Sequence, residues 1–140
     1  MQIRELDLKE LYSVYDLLVQ LRPELSYKEF EDLIYDMRHI EYKMYGIIDG
    51  EELISYAGIN IQTNFYHKRH LYIFDLITDD KNSRKKYDKM MLEFLDDLAR
   101  IGMCENIVLS KKSCLENSSV LEKDNGFYNF SEVYEKKINI

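Results

Sequence analysis

The chain has 140 residues, 46% of them hydrophobic and 32% charged. This composition fits one globular domain over residues 1–140 and leaves no room for a second folded module. No apolar run reaches the roughly 18 residues of a membrane span, the first residues hold no apolar signal segment, and two cysteines without an export signal read as reduced thiols, so a soluble, cytoplasmic setting is expected. The net charge of −7 argues against nucleic-acid binding, which needs a basic footprint, and its excess lies in residues 1–62, where six basic side chains face 13 acidic ones.

Ile3–Leu6 alternates as a short strand. Asp7, with Glu10 three residues on, has capping-box spacing, and Leu8, Leu11, Tyr12, Tyr15, Leu18 and Val19 repeat at helical period. Arg22-Pro23-Glu24 ends that helix. Ser26 caps a second one, with Glu29 at the reciprocal position and a stripe of Phe30, Leu33, Ile34 and Met37. The period then changes. Met44–Ile48 reads as a strand, Asp49-Gly50 as a hairpin turn, and Glu51–Thr63 as the returning strand, in which Gly58 marks a bulge or a close backbone approach. After a turn at Phe65–Arg69, Leu71–Thr78 is a third strand. Simple alternation puts Tyr72, Phe74, Leu76 and Thr78 on one face and Leu71, Ile73, Asp75 and Ile77 on the other. The polar loop Asp79–Asn82 leads into a helix over about Ser83–Ile101, striped by Tyr87, Met90, Met91, Phe94, Leu95 and Leu98 and stopped by Gly102. Ile107–Leu109 is a short strand. Cys114–Asp124 is a last short helix ended by Gly126, and Phe127–Ile138 supplies one or two final strands.

The order β, α, α, β, β, β, α, β, α, β(β) describes an α/β domain on a mixed central sheet. The sheet is antiparallel in its first half, with one right-handed parallel βαβ crossover, and is flanked by about four helices. This order resembles that of the GNAT (Gcn5-related N-acetyltransferase) superfamily. Local detail is similar to a bacterial branch over nearly the whole chain. Leu17–Ser26 resembles the join between its first two helices, and Tyr72-Ile73-Phe74-Asp75-Leu76-Ile77-Thr78-Asp79 its central strand. Gly102 followed by Ile107-Val108-Leu109 resembles its helix end and fifth strand, Gly126-Phe127 the Gly-Phe after its last helix, and Tyr134-Glu135-Lys136-Lys137-Ile138 its final strand.

The resemblance implies acetyl transfer from acetyl-CoA to an amine on a small molecule or peptide, no metal, and a homodimer as a frequent state. The family's Gln/Arg-x-x-Gly-x-Gly/Ala loop binds pyrophosphate through backbone amides at a helix N-terminus. A gap-free match puts Ser83, Lys86 and Asp88 on its three positions, so both glycines are absent. A slip of one residue would start the motif at Arg84, followed by Tyr87 and Lys89. Lys81, Arg84, Lys85, Lys86 and Lys89 form a basic cluster there, either a solvated helix start or a seat for a small polyanion. Asp88 would set a carboxylate near the same phosphates. The backbone of Ile77, Thr78 and Asp79 would carry the thioester and the pantetheine arm in the family's manner. Asn117 falls where relatives use an Asn against the cofactor, or else it caps the last helix.

Asp75 sits in an aliphatic run, where a carboxylate is either paired or functional; as a base it would deprotonate the amine, with Tyr72 a second candidate. The family's acid Tyr, just before Gly-Phe, corresponds to Glu122, which is either an exposed helix carboxylate or, if buried beside the thioester, the acid. The acidic first half would favour a cationic acceptor. His67 and His70 read as a solvated hairpin tip rather than metal ligands. The alternative to an enzyme is a degenerate domain of this fold serving as a binding or regulatory module. What separates the two is whether the gap between the central strand and the next parallel strand is open or filled, with Lys86 and Tyr87 the side chains placed to fill it.

Overall fold

A computed structural model describes residues 1–114 and 118–139. Five strands form one sheet in the order β1 (Gln2–Leu6), β2 (Lys43–Asp49), β3 (Glu52–Asn64), β4 (Lys68–Thr78) and β5 (Asn106–Leu109). The first four run antiparallel to their neighbours, and β5 joins β4 in parallel. Helices α1 (Leu11–Leu18) and α2 (Tyr27–Met37) cover one face, α3 (Arg84–Ile101) covers the other, and α4 (Ser118–Asn125) follows β5. The expected α/β architecture with one parallel crossover is thus present.

Local chemistry explains the element ends. Asp7 and Glu10 form a reciprocal capping box ahead of α1, and Ser26 Oγ accepts from the Glu29 amide at the start of α2. Gly102 closes α3 as expected, although the left-handed residue is Met103, at φ 57°. A Cβ at 102 would lie 2.8 Å from Ile61 Cδ1, the end of a partly exposed side chain that can move aside.

Two cores result. Ile47, Ala57, Ile59, Leu71, Ile73 and Leu76 pack with Met91, Leu92 and Leu95 of α3. Leu6, Met44, Tyr56 and Ile77 pack with Val14, Leu17, Phe30 and Ile34 of α1 and α2. The membership corrects the alternation expected along β4. Gly58 pairs with Asp75 but Ile59 pairs with Ile73, so Phe74 is an extra residue with no partner on β3. Beyond this bulge every side chain changes face. Leu76 joins Leu71 and Ile73 on the α3 side, whereas Asp75 and Ile77 turn toward α1 and α2.

Three further expectations are corrected. His70 is buried (1% exposed) within β4, its Nδ1 2.9 Å from the Lys68 carbonyl, because β4 starts earlier than the turn reading allowed. Residues 127–139 form no strand, so the sheet ends at β5. Of the helix expected over Cys114–Asp124, the described part is Ser118–Asn125, and Cys114 itself is extended and makes an isolated parallel bridge to Leu76. Both cysteines are thiols, and among the described residues no helix is long and apolar enough to cross a membrane.

The hydroxyls of Tyr42 and Tyr56 meet directly above Gly58, in the space a Cβ would take. Gly58→Ala therefore overpacks the bulge and is expected to destabilise the protein by about 1–3 kcal/mol. Chemical denaturation measures this, and an unchanged midpoint would mean that the tyrosines do not cross that position.

Candidate active site

β4 and β5 part at the bulge. Their pairing runs from His70–Asn106 to Ile73–Leu109 and then stops, so Phe74–Thr78 extends beyond the parallel partner toward the N-terminus of α3. This leaves a divergence between two parallel strands, bounded at its far end by a helix N-terminus. The gap is not filled by the side chains expected there. Lys86 is exposed with its ammonium 5.1 Å from the centre of the Tyr87 ring, and Tyr87 packs half-buried on the α3-side core. Instead the backbone crosses it, through the bridge between Leu76 and Cys114, after a short 3-10 turn at Lys111–Ser113.

On the α1/α2 face of the bulge, Asp75 Oδ1 accepts from Arg22 Nη2 at 2.6 Å and from Arg22 Nε at 3.0 Å. Both bonds fall on one oxygen. The Asp75 side chain is 15% exposed, and burial pushes its carboxyl above the ordinary range while the Arg22 charge and hydrogen bonds pull it back. Asp75 is therefore paired, with an arginine from the α1–α2 connection. Tyr42 and Tyr56 share a hydroxyl–hydroxyl hydrogen bond beside it. Burial first, and then the Asp75 charge for Tyr42, push both phenols far up, so they act only as neutral hydroxyls. Tyr72 is half-buried and turns its ring edge-to-face on Phe74, with centroids 4.8 Å apart.

At the other end of the divergence, Asp88 corrects its expected position. It is buried (2% exposed) and its Oδ1 accepts from Thr78 Oγ1 at 2.6 Å. Thr78 Oγ1 lies 3.1 Å from Ser55 Oγ, which bonds the Ile77 carbonyl at 3.2 Å. Asp88 thus ties α3 to β4 from inside and does not face a ligand at the helix end. The Asp79 amide is committed to the Ile54 carbonyl at 2.8 Å, so it is not a donor to a thioester. Ser83 caps α3 by accepting from the Lys86 amide. Arg84 Nε is buried with no hydrogen-bond partner. Lys85, Lys86 and Lys89 are exposed around it.

Glu122 is exposed on α4, which denies it the burial an acid role requires. Asn117 lies outside the described residues, and no His/Cys/Asp/Glu group suited to a metal occurs among those described. The sequence reading missed Arg22, Tyr42, Tyr56, Ser55 and Cys114. Arg22 read only as the end of a helix, and nothing local indicates that it reaches a strand 53 residues away. Gly58 was the legible trace of Tyr42 and Tyr56, since it marked a close approach without naming what approaches.

No family model matches this chain, and no curated protein matches it. Solved structures do. A GNAT family acetyltransferase from Staphylococcus aureus is 13% identical, with a TM-score of 0.76 over 98% of each chain. Glucosamine-6-phosphate N-acetyltransferase from Arabidopsis thaliana is 20% identical, with a TM-score of 0.74 over 99% of this chain and 98% of that one. A transcriptional regulator from Bacillus halodurans is 15% identical, with a TM-score of 0.79 over 98% and 99%. At these identities the likeness is one of fold: the chain has the GNAT acetyltransferase fold.

The Arg22–Asp75 pair has a pH signature. The folded carboxyl holds its proton more tightly than the unfolded one, so its contribution to stability is present at low pH and lost as pH rises through the folded pKa. Arg22→Met removes the opposing cation and moves that pKa further up. It is expected to cost about 1.5–3 kcal/mol at pH 8 and clearly less at pH 5. Adding Asp75→Asn should flatten this difference. Thermal unfolding across pH checks it, and a loss independent of pH would contradict the pairing.

Proposed function

We propose that the protein is an N-acetyltransferase that moves an acetyl group from acetyl-CoA to an amine. The observation that carries this reading is Arg84 Nε, a buried donor with no partner, at the N-terminus of the helix that follows a bulged strand diverging from its parallel neighbour. An anion at that point would satisfy the donor and meet the positive end of the helix dipole. The diphosphate of CoA meets this requirement without the absent glycines. Asp88 is turned inward to Thr78, so the carboxylate that threatened to repel phosphate stands away from the helix end.

Arg84, Lys85 and Lys86 would hold the phosphates, and the edge of β4 beyond Ile73 would take the pantetheine arm once the Leu76–Cys114 bridge gives way. When bound, acetyl-CoA supplies an activated acyl group. The chain's own contribution centres on Asp75. Arg22 anchors its Oδ1, which leaves Oδ2 outside that pair to accept a proton from an ammonium. The raised carboxyl pKa makes it a better acceptor than an exposed aspartate. Tyr42 and Tyr56 stay neutral and limit water at the bulge. The acidic first half favours a cationic amine by its field.

A second reading, a binding or regulatory module without turnover, is favoured by the Leu76–Cys114 bridge, which spans the edge the pantetheine arm would use. The exposed Glu122, at the position of the family's acid, points the same way. One structural neighbour described as a transcriptional regulator is consistent with it.

Calorimetric titration with acetyl-CoA and with CoA separates the two. The enzyme reading expects a Kd below about 100 μM, weakened about tenfold by Arg84→Ala. It also expects Asp75→Asn to leave binding within about twofold while lowering turnover of a polyamine or amino-acid acceptor about 100-fold or more. No heat up to millimolar ligand, from protein that circular dichroism reports as folded, would favour the module.

A further inference from the structure

The Arg22–Asp75 pair leaves much of its hydrogen-bonding capacity unused. A guanidinium meets a carboxylate most fully fork to fork, with two parallel bonds to two oxygens. Here Nε and Nη2 of Arg22 both go to Asp75 Oδ1, at 3.0 and 2.6 Å. The pair is therefore made along the side of the guanidinium and at one oxygen. The end edge of the guanidinium, Nη1 with the second Nη2 hydrogen, bonds nothing among the described residues, and neither does Asp75 Oδ2. Both atoms reach solvent, the Arg22 side chain being 31% exposed and that of Asp75 15%. An ion pair that served packing alone would satisfy both carboxylate oxygens from within the fold.

The two unused edges ask for opposite chemistry. Oδ2 accepts only, and the best donor to it carries positive charge. The end of the guanidinium donates only, and its planar fork matches a carboxylate. Both demands belong to one ion pair, so they lie close together. A molecule with an ammonium and a carboxylate on the same carbon meets both at once. A polyamine meets only the first and sets its other cations against Arg22. The strand side of the pair is apolar. Phe74, the inserted residue of the bulge, is half-buried, with its ring edge-to-face on Tyr42 at 5.3 Å and on Tyr72 at 4.8 Å. This row of rings stands next to Asp75 and suits a side chain without charge.

We infer that the acetyl acceptor is an amino acid with an apolar side chain, its ammonium on Asp75 Oδ2 and its carboxylate on the end edge of Arg22. The inference rests on the proposed acetyl transfer for the fate of the amine, and on the ion pair alone for binding. On transfer the ammonium gives one proton to Asp75 Oδ2, which passes it to water. The amine nitrogen bonds the acetyl carbonyl carbon, the carbon–sulfur bond breaks, and the second nitrogen proton ends on the departing thiolate. The products are an N-acetyl amino acid and CoA.

NMR titration of the full chain, followed at the Asp75 amide and the Arg22 Nε–H, tests this with each standard amino acid, in the presence and absence of CoA. An apolar amino acid, with L-leucine and L-phenylalanine tried first, should shift both signals. The matching amine without the carboxylate, 3-methylbutylamine or phenethylamine, should bind at least about tenfold more weakly. Arg22→Lys keeps a cation beside Asp75 but gives up the planar fork, and should bring this preference to within about twofold in protein that circular dichroism reports as folded. The wild-type comparison of acid and amine decides the matter alone if that variant does not fold. Changes with CoA but with no amino acid in either state would overturn the inference and leave acetyl transfer standing. Amino-acid binding without any response to CoA would uphold the site and sink the transfer instead. An amine that binds as tightly as its amino acid, or a preference untouched by Arg22→Lys, would also overturn the inference.

Discussion

Much of this molecule depends on one extra residue in β4. The hydroxyls of Tyr42 and Tyr56 occupy the space above Gly58, and opposite that glycine the β3–β4 register slips by Phe74. The slip turns Asp75 out of the α3-side core and toward Arg22, and returns Leu76 to that core. It also coincides with the end of pairing between β4 and β5. A carboxylate on one face, a strand edge bridged to Cys114 at Leu76 and a helix N-terminus are thereby gathered at one end of the sheet.

The polar groups around this point have distinct uses. The Arg22–Asp75 pair compensates a charge that burial disfavours, and it links the α1–α2 connection to the central strand. Asp88, Thr78 and Ser55 form a second buried polar set on the opposite face, which fixes the start of α3 against the end of β4. The Asp88 carboxylate is buried and accepts from Thr78 through Oδ1, whereas Lys85, Lys86 and Lys89 at the start of α3 are exposed. Arg84 Nε is a buried donor without a hydrogen-bond partner, and such a donor is costly unless a ligand completes it.

Most of the fold was legible in the sequence because it is written in local terms. Period, capping boxes, the Asp49-Gly50 turn and the stripe from Tyr87 to Leu98 need no distant information. The faces of β4 were misread because a bulge is set by what packs above it, and alternation cannot register an inserted residue. Asp75 stood out as a lone carboxylate in an aliphatic run, yet its partner Arg22 lies in another element. Asp88 was placed at the phosphates by motif position alone, when the buried hydroxyl of Thr78 offers it a better environment. The final strands were expected from composition, and the composition is indeed that of a strand. Residues 127–139 nonetheless form no strand, and the side chains from Tyr128 to Asn139 are exposed.

The central claim is that the β4 edge beyond Ile73 and the N-terminus of α3 form one cofactor seat. Amide chemical shifts followed by NMR during titration with CoA test it most directly. The account predicts the largest changes at Arg84, Lys85 and Lys86, with Leu76 and Cys114 shifting together as the bridge between them gives way to the ligand. Shifts confined to the exposed lysines that vanish in about 0.3 M salt, where the Debye length falls to roughly 6 Å, would contradict it, as would changes centred on any other face.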